Sequence, residues 1–333
     1  MDYFGANYNT RIGAILETAF TRLLGIDHPV VCAGMGSGIS DGDLTGAVSE
    51  AGGLGVLGAS WLSPDDVAEM AARTRELTAK PFGVNLLLFG NEDLLDAALA
   101  VEPAVLSTAW ARQDQDLAAI FARAHECGAK VMHMVARLDE AERAAEAGAD
   151  VIVAQGSEGG GHVGEMGTTV IVRQVVKAVD PLPVVAAGGF GDGAGLASAL
   201  ALGATGVLLG TTFLATRESP LPDWYKQAIL DSDGHDTVVT TVADTYSGRD
   251  WPGAWGRVLR TPMIEEWLGR EPELRRRRAE IHAELAKAWE NAPPYPGPIW
   301  AGQSAGLVDE VLPAGDVVRQ ISAEAEQILR SLP

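Results

Sequence analysis

The residues best suited to chemistry stand in one glycine-rich run, Gly156-Ser157-Glu158-Gly159-Gly160-Gly161-His162. Near neutral pH an imidazole takes a proton from an acidic carbon or pairs with a developing anion, and both roles stay open for His162. The glycines before it let a flat ligand lie against main chain while the imidazole projects beside it. Glu158 is placed either to orient His162 or to cap a following helix. Two more glycine turns suit an anion: Ala186-Ala187-Gly188-Gly189-Phe190-Gly191-Asp192-Gly193 and Leu208-Leu209-Gly210-Thr211-Thr212. Consecutive glycines bring backbone amides close to phosphate oxygens, and the Thr211 hydroxyl can donate one more hydrogen bond. In Ala33-Gly34-Met35-Gly36, small residues permit backbone contact with a ring, and Met35 either packs on that ring or fills core. Asn85, an amide inside Phe82-Gly83-Val84-Asn85-Leu86, must find hydrogen-bond partners if buried, for a site or for structure alone.

These groups need a frame that brings distant turns together. An alanine-rich amphipathic stretch repeatedly ends at a glycine, and within a few residues a β-branched run begins: Ala51-Gly52-Gly53-Leu54-Gly55-Val56-Leu57, Cys127-Gly128-Ala129-Lys130-Val131-Met132, Ala147-Gly148-Ala149-Asp150-Val151-Ile152-Val153 and Leu202-Gly203-Ala204-Thr205-Gly206-Val207-Leu208. Glycine suits the left-handed residue that ends a helix, and the apolar runs suit strands buried on both faces. With Pro29–Ala33, Phe82–Leu88, Ala104–Thr108 and Pro183–Ala187 the strand count reaches eight. Eight parallel strands alternating with helices predict a closed (β/α)8 TIM barrel, an α/β fold, whose site lies where strands run into the following helices. Every candidate turn falls at such an end.

The pattern stops after Thr212. Residues 1–217 with 299–333 are expected to form the barrel, and 218–298, with Trp224, Trp251, Trp255, Trp267 and Trp289, a C-terminal helical cap that shapes the substrate region. The run Arg275-Arg276-Arg277-Arg278 is flanked by glutamates at helical spacing, which reads as a solvated ion-pair face. Pro293–Pro298 reads as a return, and a last helix is expected over about Ala314–Leu332.

The 333 residues can bury a sizeable core, and 47% hydrophobic with 21% charged residues suits a globular enzyme. The 45 acidic and 25 basic residues leave a net charge of -20, which repels nucleic acid and anionic lipid, so neither is expected as a partner. No apolar run approaches the ~18–20 residues that span a bilayer, Met1–Phe20 lacks the apolar stretch of a secretory signal, and a cytoplasmic location is expected. Cys32 and Cys127 are too few for a disulfide framework or a zinc site; both are expected as buried apolar fillers, with no metal.

At these motifs the chain resembles the nitronate monooxygenase family, formerly 2-nitropropane dioxygenases, over about Thr21–Ser219, with an echo at Ala301-Gly302-Gln303-Ser304-Ala305-Gly306-Leu307. The resemblance implies a flavin mononucleotide (FMN) barrel in which Ala33, Gly34, Met35, Asn85, Gln155, Gly160, Gly161, Gly188, Gly189, Leu209, Gly210 and Thr211 hold the cofactor and His162 is catalytic. It implies oxidation of alkyl nitronates, with nitroalkanes as further substrates, by O2 to a carbonyl compound and nitrite, in a chain that can form a homo-oligomer. Similar sequences also include FMN-dependent NAD(P)H:quinone reductases and enoyl-thioester reductases, and a phosphate-binding barrel without flavin is a third reading. The family pattern departs here at Gly159, where alanine is common, and at Met134, where some relatives carry lysine.

Overall fold

A computed structural model describes residues 16–249, 251, 253–290 and 297–332. Expectations on the N-terminal fifteen residues and on most of Pro293–Pro298 fall outside them. Eight parallel strands form one sheet: β1 (Val30–Cys32), β2 (Gly55–Gly58), β3 (Phe82–Leu87), β4 (Val105–Ala109), β5 (Lys130–Val135), β6 (Val151–Gln155), β8 (Val184–Ala187) and β9 (Gly206–Leu209), with β7 (Gly161–Val163) standing outside it. The sheet order is β1-β9-β8-β6-β5-β4-β3-β2, and a parallel bridge from Val31 to Leu54 joins its two ends. Two hydrogen bonds, Leu54 N to Val30 O at 3.0 Å and Cys32 N to Leu54 O at 2.9 Å, close the ring. The barrel expected from the glycine joints is the fold of the protein, and each strand lies within two residues of its expected place.

Strand alternation divides the core into two layers. On β6, Ile152 and Ala154 face the helices while Val151 and Val153 fill the barrel; on β8, Val184 and Ala186 face out while Val185 and Ala187 face in. Phe20 and Leu24, on the short helix Ala19–Leu24, plug the bottom of the interior beside Val31, Met132 and Val185. Phe20 is fully buried, and truncating such a residue to alanine costs about 3–5 kcal/mol. The filled lower layers leave open space only at the C-terminal ends of the strands, where the site residues stand.

Among its described residues the segment expected as a helical cap holds four helices, Asp223–Leu230, Val242–Ser247, Pro262–Trp267 and Glu271–Glu290, and also two strands, β10 (Thr237–Thr240) and β11 (Trp255–Leu259). These pair antiparallel with each other, and β11 pairs antiparallel with β7. The end of the glycine-rich run, Gly161 with His162 and Val163, is therefore the third strand of that sheet. Its order comes from β11, about ninety residues further along the chain, whose Gly256 stands opposite His162. The last helix runs Ala314–Ser331. Cys32 is buried as expected, and burial pushes its thiol pKa well above the ordinary range. Cys127 is exposed, a correction: it ends the helix Leu117–Glu126 on the solvent side of the αβ joint, where Ala129 takes the buried place.

Candidate active site

A cavity of about 260 Å3 opens at the C-terminal ends of the strands. Ala33, Gly34, Met35, Gln155, Gly160, Gly161, His162, Gly188, Gly189, Leu209, Gly210 and Thr211 all line it. Met134 lines it too, an apolar side chain. Of the expected residues, Asn85 alone does not: it stands behind Gly34, donating from Nδ2 to Gly34 O at 2.9 Å and accepting from Ser107 Oγ at 3.0 Å. A buried amide among apolar neighbours has thus found both partners in the protein, and a Cβ on Gly34 would lie 2.2 Å from Asn85 Cβ. Asn85 shapes the wall.

Two turns form one side of the cavity. Gly188 and Gly189 have φ of 90° and 82°, a conformation that costs other residues about 1–2 kcal/mol, and a Cβ on Gly188 would lie 2.6 Å from Gly156 O. The Gly210 turn leads into the helix Thr211–Leu214, and the Thr211 hydroxyl accepts from Gly302 N at 2.9 Å, which leaves its own hydrogen to be donated. Gly302 precedes a short 3-10 helix, Gln303–Leu307, in a stretch that docks on both site loops: Gln303 N also donates to Glu158 O at 2.9 Å, and Gly160 and Gly302 pack without room for a Cβ on either. Arg257, from β11, completes the fastening. Its Nε and Nη2 donate to Ser157 O at 3.0 and 2.9 Å, and burial lowers its pKa against the opposing pull of Glu158.

Glu158 caps the helix Thr168–Ala178, accepting from Thr168 N at 2.9 Å and from Thr168 Oγ1 at 2.5 Å. It does not orient His162. That place belongs to Asp244, on the cap helix Val242–Ser247, whose Oδ1 lies 2.9 Å from His162 Nε2. The two side chains are 11% and 6% exposed, and Asp244 Oδ2 has no other partner among the described residues. A buried carboxylate beside Nε2 favours the tautomer that carries its proton there, so Nδ1 is left with a lone pair for a substrate. Asp244 was not foreseen. It lies 82 residues from His162 in an unremarkable helical stretch.

Aromatic rings enclose the imidazole. Trp251 stacks on it with centroids 3.8 Å apart and planes at 10°, Trp300 lies tilted at 5.2 Å, and Trp110 meets it edge-on at 6.4 Å. Trp251 stood out only as one of a cap cluster; its contact with His162 was not foreseen. Trp61 and Trp110, both cavity residues, hold φ of 65° and 56°, and Asn91 Oδ1 supports the first by accepting Trp61 N–H at 2.8 Å. Such backbone costs about 1–3 kcal/mol and persists where its surroundings impose it. Arg249 lies over Trp61 at 3.8 Å; burial lowers its pKa, opposed by Asp244. The site therefore offers a carboxylate-held imidazole, a boxed aromatic wall, and glycine turns with hydroxyl and backbone donors. Among the described residues no cluster of side chains is suited to a metal.

Comparison with known proteins agrees with this architecture. The family model described as nitronate monooxygenase matches residues 17–100 and 92–324. A 5-hydroxy-7a-methyl-1-oxo-octahydro-1H-indene-4-carboxyl-CoA dehydrogenase of Mycobacterium tuberculosis is 40% identical over 259 residues, 75% of this chain and 68% of that protein. A nitronate monooxygenase of Paraburkholderia phytofirmans is 32% identical over 95% of this chain and 97% of its own length. The solved structure of FabK from Thermotoga maritima superposes with a TM-score of 0.82 at 35% identity, covering 94% of this chain and 97% of that one. On the span of the family match and the identity with full-length relatives, the chain belongs to the nitronate monooxygenase family, a family of oxidoreductases.

Proposed function

We propose that the protein is an FMN-dependent oxidoreductase that converts alkyl nitronates, and nitroalkanes after loss of an α-proton, with O2 into carbonyl compound and nitrite. The observation that carries this reading is the His162–Asp244 pair at 2.9 Å on the wall of the cavity formed by the glycine turns. FMN fits those turns. Gln155 Oε1 is buried at the cavity with no partner among the described residues and is an acceptor for a ring N–H; a Cβ on Gly210 would enter the space beside Met35 Sδ at 3.7 Å; and Gly188, Gly189 and Thr211 offer phosphate donors. Bound there, the flavin supplies the two-electron sink. His162 Nδ1 accepts the α-proton of a neutral nitroalkane, while Asp244 holds the ring and stabilises the imidazolium that forms. With a substrate already anionic there is no α-proton to take; the ring then carries a proton from solvent and, as the imidazolium, pairs with the nitronate oxygens. The tryptophan wall and the cap keep bulk water from the reacting carbon.

The test is His162→Ala assayed with nitroethane and with its nitronate. Loss of turnover with the neutral substrate is expected, by about 10²–10⁴-fold; turnover unchanged with both substrates overturns the role.

A second reading has its own support: the relative that is 40% identical is named a carboxyl-CoA dehydrogenase. In that reading the pair acts on the α-carbon of a thioester, or the protein reduces a quinone or unsaturated thioester with NAD(P)H. Anaerobic bleaching of the flavin by NAD(P)H is the result that the reductase form requires.

A further inference from the structure

The side chains around the reactive cavity divide by the strand that presents them. The ends of β6, β8, β9 and β1 bring the glycine turns, Gln155 and Thr211. The four strands on the opposite arc, β2, β3, β4 and β5, bring one residue each, Trp61, Leu87, Trp110 and Met134, and all four are apolar in type. Trp300, beside His162, adds a third indole. One half of the cavity is therefore built from backbone and hydroxyl donors. The other, apart from Arg249 over Trp61, offers indole and aliphatic surface.

The three indoles are held in place. Trp61 and Trp110 keep the left-handed backbone that large side chains rarely adopt, and Trp251 meets both rings edge-on, with centroids 6.1 and 6.2 Å away. Trp300 is fixed at both ends: Tyr225 Oη accepts from its backbone N–H at 2.8 Å, and its ring packs over Gly256, where a Cβ would lie 2.5 Å from it. All three are nevertheless only half-buried, and all three line the cavity. Rings fixed in this way and left partly uncovered gain from a ligand that covers them. Nitroethane carries a single methyl beyond its reacting carbon and leaves the indoles bare. A flat ring covers them, and its stacked or edge-on contacts add to the gain from burial.

We propose that this half of the cavity receives an aromatic ring carried on the reacting carbon of the substrate, and that Trp61 and Trp110 set the preference for it. The inference rests on the nitronate reading for what reacts, and on the indole wall alone for what binds.

Two unreactive probes isolate the binding. Nitrobenzene and 2-methyl-2-nitropropane each carry a nitro group on a carbon without hydrogen, and only the first has a ring. The full-length protein with added FMN is titrated with each by calorimetry, as wild type, Trp61→Gly, Trp110→Gly and Trp61→Phe. Glycine suits φ of 65° and 56° and keeps the Trp61 N–H that Asn91 accepts, so each ring is removed without backbone strain. Nitrobenzene is expected to bind wild type about tenfold or more tightly than 2-methyl-2-nitropropane. That preference is expected to shrink about threefold or more in each glycine variant and to stand in between in Trp61→Phe. In turnover, the nitronate of phenylnitromethane is expected to exceed that of nitroethane by about tenfold or more in kcat/KM, with the gap narrowed by the same variants. No binding of nitrobenzene by wild type at millimolar concentration, equal affinity for the two probes, or a preference unchanged in both glycine variants overturns the proposal. So does a kcat/KM for the ethyl nitronate equal to or above that for the aryl one. Failure to oxidise either nitronate defeats the nitronate reading, and the titration still decides what the wall binds.

Discussion

Replacing Asp244 by asparagine removes the charge that His162 Nε2 meets at 2.9 Å and keeps the side chain's shape. Both groups are largely shielded from water, at 11% and 6% side-chain exposure, so solvent cannot replace what is lost. A hydrogen bond to a charged group contributes about 1.5–3 kcal/mol, and at about 1.4 kcal/mol per tenfold this is a fall of about 10–150-fold in kcat. The loss belongs to the step in which the imidazole becomes positive, so it is expected in kcat more than in KM. It should be larger for nitroethane, which must give up a proton, than for its nitronate, which needs only a cation beside it. Oxygen consumption measured with both substrates separates this from a general loosening of the cap. Asp244 acts through His162, so kcat should return in part in Asp244→Glu, which restores the carboxylate. A kcat within twofold of wild type for both substrates refutes the assignment of Asp244 as the residue that positions the imidazole.

Three further outcomes follow from particular contacts. Trp251→Ala removes the ring stacked 3.8 Å from His162; at about 0.5–1.5 kcal/mol for such a pair, kcat should fall about 2–12-fold with little change in melting temperature, and an unchanged kcat contradicts a role for the stack. Gly188→Ala combines a φ of 90° with a Cβ 2.6 Å from Gly156 O, so the turn must shift and FMN affinity, read by fluorescence quenching, should drop at least tenfold; retention of normal affinity removes this turn from the cofactor site. Burial holds His133, bonded to Thr108 Oγ1 at 2.7 Å, at a pKa of about 3, with Arg143 adding to the effect. Its unfolded value is about 6.5, so the unfolded chain takes up a proton that the fold refuses as pH drops below 6.5, and stability is lost from there toward 3, by roughly 4–5 kcal/mol in all. Urea unfolding of His133→Gln should show a flatter acid limb than wild type, and identical limbs exclude this histidine as the cause.

Much of the frame was readable because it is locally encoded. A glycine that ends a helix and an apolar run that follows are signals within a dozen residues, and four of them, with four further apolar runs, fix the barrel and the end at which its turns gather. Eleven of the twelve expected contact residues stand on one cavity for the same reason: each sits at the end of a strand whose direction was already set. What escaped is encoded between distant segments. β7 is three residues long and paired only with β11, so no local pattern marked it as a strand. Asp244 and Trp251 reach His162 only through the fold of the cap, and no spacing in the sequence joins them. Glu158 was the nearer carboxylate in sequence, yet its Oε2 accepts both hydrogen bonds from Thr168. Asn85 was legible as a buried amide but not as one already satisfied by Gly34 and Ser107. Cys127 looked apolar by type, and its place at a helix end turned it to solvent.

On the reading proposed, the glycine turns hold FMN and His162 serves a nitronate there. Anaerobic mixing of the purified, FMN-loaded protein with propionate 3-nitronate, followed by flavin absorbance, tests it most directly. Rapid bleaching by the nitronate alone, slowed in His162→Ala, is the result predicted; a protein that retains no FMN, or one whose flavin is bleached by NAD(P)H and not by the nitronate, contradicts it.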